Sequence, residues 1–251
     1  GGPGRRAAVA PGVLRRLIQQ MQIVIVGNGR MGRAVAALAA ERGHAVRVIG
    51  REENAGGAAL TPERLAGVDI AIEFTRPDAV AGNLERLIEA GVPTVTGTTG
   101  WTAELPRIER LVRSRGGALL YAANFSIGMH LFLRAARELA TLFARRPEFG
   151  AFILEEHHAG KLDAPSGTAA LLREKAREVD PAREFPITSV RAGFIPGTHQ
   201  LTYDGPHESV SLSHVARSRA GFAVGALAAA EWLPGRPGFH SFEAMLFGGA
   251  G

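Results

Sequence analysis

The residues most able to do chemistry lie between Glu155 and Ala169, where two histidines, a lysine and three carboxylates occur within fifteen positions. Imidazole and ammonium groups beside carboxylates are the side chains that proton transfer requires. A Pro-Ser-Gly-Thr turn follows at residues 165–168, and then an apolar, helix-forming run. A helix that begins beside titratable groups is also suited to binding an anion. This stretch is therefore predicted to be an active site.

Lys161 is one of only two lysines among the 29 Lys and Arg residues, so this chain almost always takes its positive charge from arginine. An ammonium group has a pKa that its surroundings can shift, and it can give up a proton, whereas a guanidinium stays protonated. We therefore predict that Lys161 does something that arginine cannot do, namely donate a proton.

His157 and His158 have other interpretations besides catalysis. A single histidine is usually a hydrogen-bonded loop residue, but here a rare lysine stands four and three residues further on, which favours a chemical role. Neighbouring residues in a strand or loop point to opposite sides, so the two histidines do not easily bind one metal ion. No third ligand stands at zinc-protease spacing, and we predict a site without a metal.

The turn after the histidines predicts an anion seat at a helix start, over a helix from residue 166 to residue 179. Ser166 has the side chain of a helix N-cap, and capping alone would explain it. The free amides of Gly167 and Thr168 would stand at the positive end of the helix dipole, with Lys161 nearby. A carboxylate fits this arrangement, and so does a phosphate.

A second anion site is predicted near the start of the chain. The apolar run Gln22–Val26 has the length of a buried parallel strand, and Gly27-Asn28-Gly29-Arg30-Met31-Gly32 follows it directly. A helix over residues 33–42 and a strand over Ala45–Ile49 complete a βαβ unit. Glycines at this spacing let the backbone approach a pyrophosphate, so the pattern predicts dinucleotide binding.

Strands and helices go on alternating up to residue 124, which predicts an α/β fold with a doubly wound parallel sheet of the Rossmann type. The further strands are predicted over residues 68–74, 93–96 and 118–121, and the helices over residues 78–90 and 102–115. The loops at the strand ends should converge on the cofactor crevice. These loops are Phe74-Thr75, Gly97-Thr98-Thr99 and Ala122-Ala123-Asn124-Phe125.

A second, α+β domain is predicted over residues 125–218, for substrate binding and oligomerisation. It would contain a helix over 128–143, a strand over 151–155, and three segments that look like antiparallel strands, over 187–191, 197–203 and 208–214. A last helix over 220–233 should pack back on the first domain, which then comprises residues 21–124 and 219–251. Residues 1–20 are interpreted as a natural extension or a cloning remnant outside both domains.

The composition limits the possible partners. Without cysteine there can be no disulfide, thiolate nucleophile or Cys-ligated zinc, which fits a cytoplasmic protein. No apolar run reaches the roughly 18 residues of a membrane span, so no membrane is expected. The formal net charge of +5 comes mainly from arginine, lysine clusters are absent, and the aromatic residues do not interleave with the basic ones. Acidic small molecules are therefore expected as partners rather than nucleic acid.

Taken together, these motifs resemble the 4-hydroxy-tetrahydrodipicolinate reductase family, also called dihydrodipicolinate reductase, of lysine and diaminopimelate biosynthesis. The resemblance runs from about Met21 to the C-terminus. Its most specific part is Glu155-x-His157-His158-x-x-Lys161-x-Asp163-Ala164-Pro165-Ser166-Gly167-Thr168-Ala169. The supporting patterns are Gly27-Asn28-Gly29-Arg30-Met31-Gly32, Phe74-Thr75-Arg76-Pro77, Gly97-Thr98-Thr99-Gly100, Ala122-Ala123-Asn124-Phe125-Ser126 and Ser189-Val190-Arg191-Ala192-Gly193.

The resemblance implies hydride transfer from NADPH or NADH to a cyclic, unsaturated dicarboxylate, giving tetrahydrodipicolinate. His157 would donate and accept a proton, and Lys161 would be a second proton donor. It also implies a homotetramer built through the second domain. The implied substrate-binding residues are His158, Ser166, Gly167, Thr168, Arg219 and Thr99. The implied cofactor-binding residues are Gly27, Asn28, Gly29, Arg30, Met31, Gly32, Arg51, Phe74, Thr75, Gly97, Thr98, Thr99, Ala122, Ala123, Asn124 and Phe125.

The end of the second strand departs from the expected pattern. A dinucleotide fold normally places an acidic residue there to hold the ribose hydroxyls. This chain has Gly50 and then Arg51, with Glu52 and Glu53 beyond. Arg51 would attract the 2′-phosphate of NADPH, which favours NADPH, with NADH as a workable second cofactor. The other interpretation is that Arg51 is one more surface arginine.

Two other functions remain as alternatives. An amino-acid dehydrogenase of the aspartate or homoserine type would share the nucleotide fold, but it would not need the His-His-Lys stretch. A non-catalytic NAD(P)-binding sensor would be expected to lack a proton donor or an anion contact, and both are present in this chain. The reductase is therefore the preferred interpretation.

Overall fold

The computed structural model describes residues 20–248, which form ten strands and eight α-helices. Most of the extension predicted over residues 1–20, and the last three residues of the predicted first domain, lie outside the described residues. The elements, in chain order, are β1 Gln22–Val26, α1 Arg30–Glu41, β2 Ala45–Ile49, α2 Pro62–Leu65, β3 Ile70–Glu73, α3 Val80–Glu89, β4 Thr94–Thr96, α4 Leu105–Arg115, β5 Ala118–Tyr121, α5 Ile127–Phe143, β6 Gly150–His157, α6 Gly167–Arg177, β7 Ile187–Arg191, β8 Thr198–Asp204, β9 Ser209–Val215, α7 Ala220–Trp232, β10 Gly238–Ser241 and α8 Phe242–Phe247.

The first sheet is parallel throughout and has the order β10-β5-β4-β3-β1-β2. Side chains alternate across β1, so Ile23 and Ile25 belong to a core cluster with α1 and α7, whereas Val24 and Val26 belong to another cluster on the opposite face. Helices α3 and α4 pack together beside the sheet, through a cluster that includes Leu84. The predicted doubly wound parallel sheet is confirmed, as is the return of the last long helix to this sheet.

Two features of the first sheet differ from the sequence prediction. Helix α1 begins at Arg30, three residues earlier than expected. Gly32 therefore lies in its first turn, where a Cβ would come within 1.9 Å of the Gly27 carbonyl oxygen, so only glycine lets the helix start this close to the strand. The edge strand β10 and helix α8 were not predicted, because residues 238–241 carry a glycine, a histidine and a serine instead of an apolar run.

The second sheet is mixed and has the order β7-β6-β8-β9. Strands β8 and β9 are antiparallel to their neighbours, as predicted, but β7 pairs parallel to β6, so the antiparallel prediction for residues 187–191 is wrong. The cause is the connection: helix α6 carries the chain from one end of β6 back to the other, and a strand–helix–strand crossover yields parallel strands.

Helices α5 and α6 cover one face of this mixed sheet through a core that includes Phe132, Leu172 and Tyr203. The predicted domain boundaries, after residues 124 and 218, fall between β5 and α5 and just before α7. Across residues 20–248, no helix combines the length and the apolar sequence needed to cross a bilayer.

Candidate active site

The β1–α1 turn leaves space for a ligand next to its free backbone amides. Gly29 is the N-cap of α1 and has no side-chain cap, and a Cβ added there would meet nothing within 4 Å. Gly27, in contrast, has a φ of +110°, and its Cβ would lie 2.1 Å from the Phe74 carbonyl oxygen. The turn is thus tightly packed on the protein side and open on the solvent side, which fits the approach of a dinucleotide diphosphate.

The strand-end loops converge beside this turn. The Phe74 ring packs where a Cβ of Gly97 would stand, and its centroid lies 6.0 Å from that of Phe125 in an edge-on arrangement. The backbone N–H of Thr75 donates to Thr98 Oγ1 at 2.8 Å. One part of the crevice is lined by Asn28, Gly29, Gly50, Arg51, Phe74 and Thr75, and another by Arg30, Met31, Gly97, Thr98 and Thr99.

A buried carboxyl group, Glu73, holds two of these loops from below. It is fully buried at the end of β3, where it accepts hydrogen bonds from the Thr75 N–H at 3.1 Å and the Thr96 hydroxyl at 2.6 Å. Burial raises the pKa of Glu73, and the surrounding hydroxyl donors partly offset this rise. The sequence analysis missed this residue, because a charged residue at the end of an apolar strand gives no sign that it points inward.

The far end of the crevice contains a cation, Arg51, which the sequence analysis linked to cofactor choice. Arg51 is exposed and lines the crevice beside Asn28. Glu53, one of the acids that could neutralise Arg51, forms a salt bridge with Arg64 instead. The guanidinium of Arg51 is therefore placed to meet an anion in the crevice.

The second site is built on strand β6. Alternation along the strand places Glu155 and His157 on one side, both buried, and leaves His158 exposed just beyond the strand end. The Glu155 carboxylate is hydrogen-bonded to Nδ1 of His157. The prediction that the two histidines point to opposite sides agrees with this burial.

Burial and the neighbouring charges determine the protonation states of Glu155 and His157. Burial alone would raise the pKa of Glu155, but hydrogen bonds from Arg191, Ser189 and His157 outweigh it and lower the pKa to about 2. Burial lowers the pKa of His157, and the hydrogen bond and charge of Glu155 only partly offset this effect. Glu155 is therefore an anion at neutral pH. His157 must donate its Nδ1 proton to it, which leaves Nε2 for the cavity.

A network extends from Glu155 to the start of α6. Arg191 Nη2 donates to Glu155 Oε1 at 2.6 Å and to the Asp163 carbonyl oxygen at 2.6 Å. The Ser166 N–H donates to the same Glu155 oxygen at 3.3 Å, and the Ser166 hydroxyl caps α6 by accepting from the Ala169 N–H. One buried carboxylate thus contacts both the histidine and the helix start.

His157 opens into a cavity of ≈ 330 Å³, which is within the usual range for small-molecule sites. His199 and His214 line it as well, and both have a buried Nδ1 without a hydrogen-bond partner. The Nε2 of His199 lies 3.1 Å from the Ser166 hydroxyl. Burial, followed by the charge of His157, lowers the pKa of His199 to about 4. The lining also includes Asn124, Ser126, Thr168, Arg217 and Ser218.

The structure brings some predicted site residues together and leaves others apart. Among the predicted residues, His157, Thr168 and Asn124 line the cavity. The other predicted catalytic and substrate residues do not line it. His158 is exposed, Lys161 is paired with Asp163 at 2.7 Å, and Arg219 is the exposed N-cap of α7. Buried Ser166 and exposed Gly167 form the start of α6, and Thr99 lies at the crevice. Their roles stay predictions.

Glu155, His157 and His199 place potential metal-ligand atoms within 4.8 Å of one another. Both oxygens of Glu155 are engaged, one by His157 and the other by the cationic Arg191. A metal ion would have to displace an arginine from its carboxylate, so the donor set fits proton transfer better than metal binding. The site without a metal stays a prediction.

The sequence analysis missed Glu155, Arg191, His199 and His214 as site residues. Glu155 was within reach of it, because residues two apart on a strand share a face. The other three are separated from His157 by the whole of α6 or by further strands. Only the register of the second sheet brings them to the site.

Comparison with known proteins identifies the family. A model described as "Dihydrodipicolinate reductase, N-terminus" matches residues 21–125, and one described as "Dihydrodipicolinate reductase, C-terminus" matches residues 128–246. The chain belongs to the dihydrodipicolinate reductase family. The resemblance carried by the 155–169 stretch is thereby confirmed.

Relatives in this family match along nearly their whole length. The 4-hydroxy-tetrahydrodipicolinate reductase of Christiangramia forsetii is 32% identical over 237 residues, which cover 90% of this chain and 98% of the relative. The enzyme of the same name from Natronomonas pharaonis is 37% identical over 247 residues, covering 89% and 99%. A dipicolinate-bound dihydrodipicolinate reductase from Paenisporosarcina sp. TG-14 has the same fold, with a TM-score of 0.72 and 22% identity over 88% of this chain and 97% of that chain.

Proposed function

We propose that this chain reduces 4-hydroxy-tetrahydrodipicolinate to tetrahydrodipicolinate with NADPH or NADH, in lysine and diaminopimelate biosynthesis. Family membership supports the reaction class. The observation that carries the proposal is the buried Glu155–His157 pair at the end of β6, which opens into a cavity beside the start of α6. A proton donor next to an anion seat is what the reduction of a dicarboxylate needs.

His157 is the proton donor. Its Nδ1 is committed to Glu155, and its Nε2 faces the cavity wall at Gly197, where a Cβ would approach to 3.1 Å. Burial keeps the free imidazole mostly neutral, because it lowers the pKa of His157. The negative charge of a bound dicarboxylate opposes this effect and favours the protonated ring. The ring then gives its Nε2 proton to the substrate, whose 4-hydroxyl group is lost as water in the overall reaction. A nicotinamide bound at the crevice would supply the hydride.

The substrate carboxylates bind around the start of α6. The Ser166 hydroxyl already caps Ala169, which leaves the amides of Gly167 and Thr168 for an anion. Lys161, now held by Asp163, exchanges that partner for the substrate and is a second donor for the proton that the reduction consumes. His158 and Arg219 provide further contacts, and Thr99 approaches the substrate from the crevice.

The crevice from Arg51 to Thr99 would hold the dinucleotide, and the start of α1 would bind its diphosphate. Arg51 pairs with the 2′-phosphate, so NADPH is preferred and NADH also works. Ala122 and Ala123 join Asn124 and Phe125 on the nicotinamide side, between the crevice and the cavity. The enzyme works as a homotetramer built through the second sheet, in the cytoplasm, and binds neither nucleic acid nor membrane.

The test is the oxidation of NADPH and NADH by the purified chain with substrate prepared immediately before use. The expected result is substrate-dependent oxidation, and a kcat about 10²–10⁴-fold lower for His157→Gln. Because the lost interaction belongs to the transition state, the KM should change less than kcat. The matched control is His207→Gln, which makes the same substitution at an exposed histidine between β8 and β9.

Substrate alternatives are decided in the same assay. Aspartate semialdehyde and homoserine, with the appropriate cofactor forms, should give no turnover. Turnover of either one without turnover of the cyclic dicarboxylate would replace the proposed function by that of an amino-acid dehydrogenase. Cofactor binding without any turnover would favour a sensor.

A further inference from the structure

We propose that Glu155, anchored by Arg191, is a positioning residue that fixes the orientation and tautomer of His157 and thereby its capacity to donate a proton. This inference rests on the proposed function, in which His157 is the donor. Neither Glu155 nor Arg191 faces the substrate; together they control the orientation and protonation of His157.

The geometry leaves Glu155 little freedom. Its side chain is fully buried, and its two oxygens are divided between two tasks. Oε2 accepts from His157, and Oε1 accepts from Arg191 at 2.6 Å and from the Ser166 N–H at 3.3 Å. A carboxylate held at one oxygen by a guanidinium and a backbone amide presents its other oxygen in a fixed direction.

The second sheet places Arg191 for this task. In the parallel register of β6 and β7, Arg191 stands opposite His157, and Ser189 stands opposite Glu155. The guanidinium therefore reaches diagonally across the strands to the carboxylate. It also donates to the Asp163 carbonyl oxygen, so the loop that contains Lys161 is tied to the same anchor.

The charged and titratable groups around His157 come from each neighbouring element. Glu155 on its own strand favours the protonated ring, whereas Arg191 on β7 and Lys161 in the following loop disfavour it. His199 on β8 packs edge-on against the ring, with the centroids 5.1 Å apart. Asp163 is paired with Lys161. The removal of Glu155 and the removal of Arg191 should therefore shift the pKa of His157 in opposite directions.

The Glu155→Gln variant removes the charge of Glu155 while keeping the size of its side chain. The amide has the same shape, and its oxygen can still accept from Arg191 and Ser166. Its NH2 group then faces Nδ1 of His157 and cannot stabilise a protonated ring. We expect kcat at neutral pH to fall at least about 10-fold, with a smaller change in KM, and the alkaline limb of the kcat/KM profile, where His157 loses its proton, to move down by about 1–3 pH units.

NMR titration of the histidine rings measures the pKa of His157 without an activity assay. The His157→Gln variant identifies which signal belongs to His157. In Glu155→Gln the pKa of His157 should fall below that of the wild type, and in Arg191→Met it should rise above it. Glu156→Gln is the matched control, because it changes the neighbouring carboxyl on the other side of the strand; it should titrate and turn over like the wild type.

The double variant Glu155→Gln/Arg191→Met leaves neither charge unpaired, so it serves if a single variant does not fold. Its His157 should titrate below the wild type, because the carboxylate that contacts the ring is gone. An unchanged pKa of His157 in Glu155→Gln, or shifts of the same sign in Glu155→Gln and Arg191→Met, would overturn the proposal. An inactive wild type would instead refute the proposed function. The NMR titration would then still test whether Glu155 and Arg191 control the pKa of His157.

Discussion

The buried histidine of strand β8 should make this protein sensitive to mild acid, and His199→Gln should relieve part of that sensitivity. His199 is only 4% exposed, and burial together with the charge of His157 lowers its pKa from 6.5 to about 4. A histidine whose pKa is lower in the folded state favours folding in its neutral form. Its contribution to stability is therefore complete above pH 6.5 and is lost as the pH falls toward 4.

The size of this loss of stability follows from the pH range between the two pKa values of His199. Between pH 6.5 and pH 4.5 the unfolded chain binds a proton at this position and the folded chain largely does not, and each pH unit corresponds to about 1.4 kcal/mol. His199 alone should thus remove about 2–3 kcal/mol of stability over this range. For a protein of this length, that loss corresponds to a decrease in Tm of about 5–10 °C. Glu155 adds a further loss only at lower pH, between 4.5 and about 2.

Thermal unfolding at pH 7 and pH 4.5, in the wild type and in His199→Gln, measures the contribution as a difference of differences. The substitution itself also changes stability, but by the same amount at both values of pH. This contribution cancels when the Tm changes of the two proteins are compared. Burial also lowers the pKa values of His157 and His214, but both proteins retain these residues. His207→Gln should lose as much Tm on acidification as the wild type. An equal loss in His199→Gln would refute the reasoning.

Three further predictions concern ligand contacts. Lys161→Arg should lower kcat by more than about 10²-fold in the reductase assay, because a guanidinium keeps the charge but cannot donate the proton; full activity would show that charge suffices. Arg219→Ala should raise the KM for the dicarboxylate by about 10- to 100-fold, with dinucleotide affinity unchanged by fluorescence titration; a selective loss of cofactor binding would place Arg219 at the nucleotide instead. Arg51→Ala should lower kcat/KM for NADPH by about 10- to 100-fold and leave that for NADH unchanged; a wild type with a strong NADH preference would contradict it.

Local patterns were enough to predict most of the first sheet. The bounds of β1, β2 and β5 agree with the predicted runs, because a strand buried on both faces is an uninterrupted apolar segment between turn residues. The direction of β7 could not be read in the same way. Its five residues look like any short strand, and only the crossover through α6 makes it parallel to β6.

The candidate site, too, could be predicted only where it depends on residues that are close in sequence. The stretch from Glu155 to Ala169 was identified because its unusual residue types are consecutive. Arg191 and His199 reach the site through strand pairing, 36 and 44 positions from Glu155 in the sequence. A single sequence gives residue types and local spacing but not register. Arg191 and His199, which reach His157 across the strands, could therefore not be predicted, whereas Glu155 on the same strand could.

The two sites use the same supersecondary unit in different ways. At each, a parallel strand ends, the chain turns, and a helix begins with its free amides toward a cavity: β1 to α1 at the crevice, and β6 to α6 at the histidines. Helix α1 begins with a glycine N-cap and no side-chain cap, so its first amides can bind a diphosphate, and its first turn contains no acidic residue. Helix α6 is capped by Ser166, so fewer amides remain. His157 ends the strand before it, and the longer turn between strand and helix carries Lys161 and Asp163. A cofactor that keeps its charge needs only an anion seat, whereas a substrate that gains a proton needs the seat and an acid together. In the proposed mechanism, His157 at the end of β6 and Lys161 in the longer second turn supply that acid.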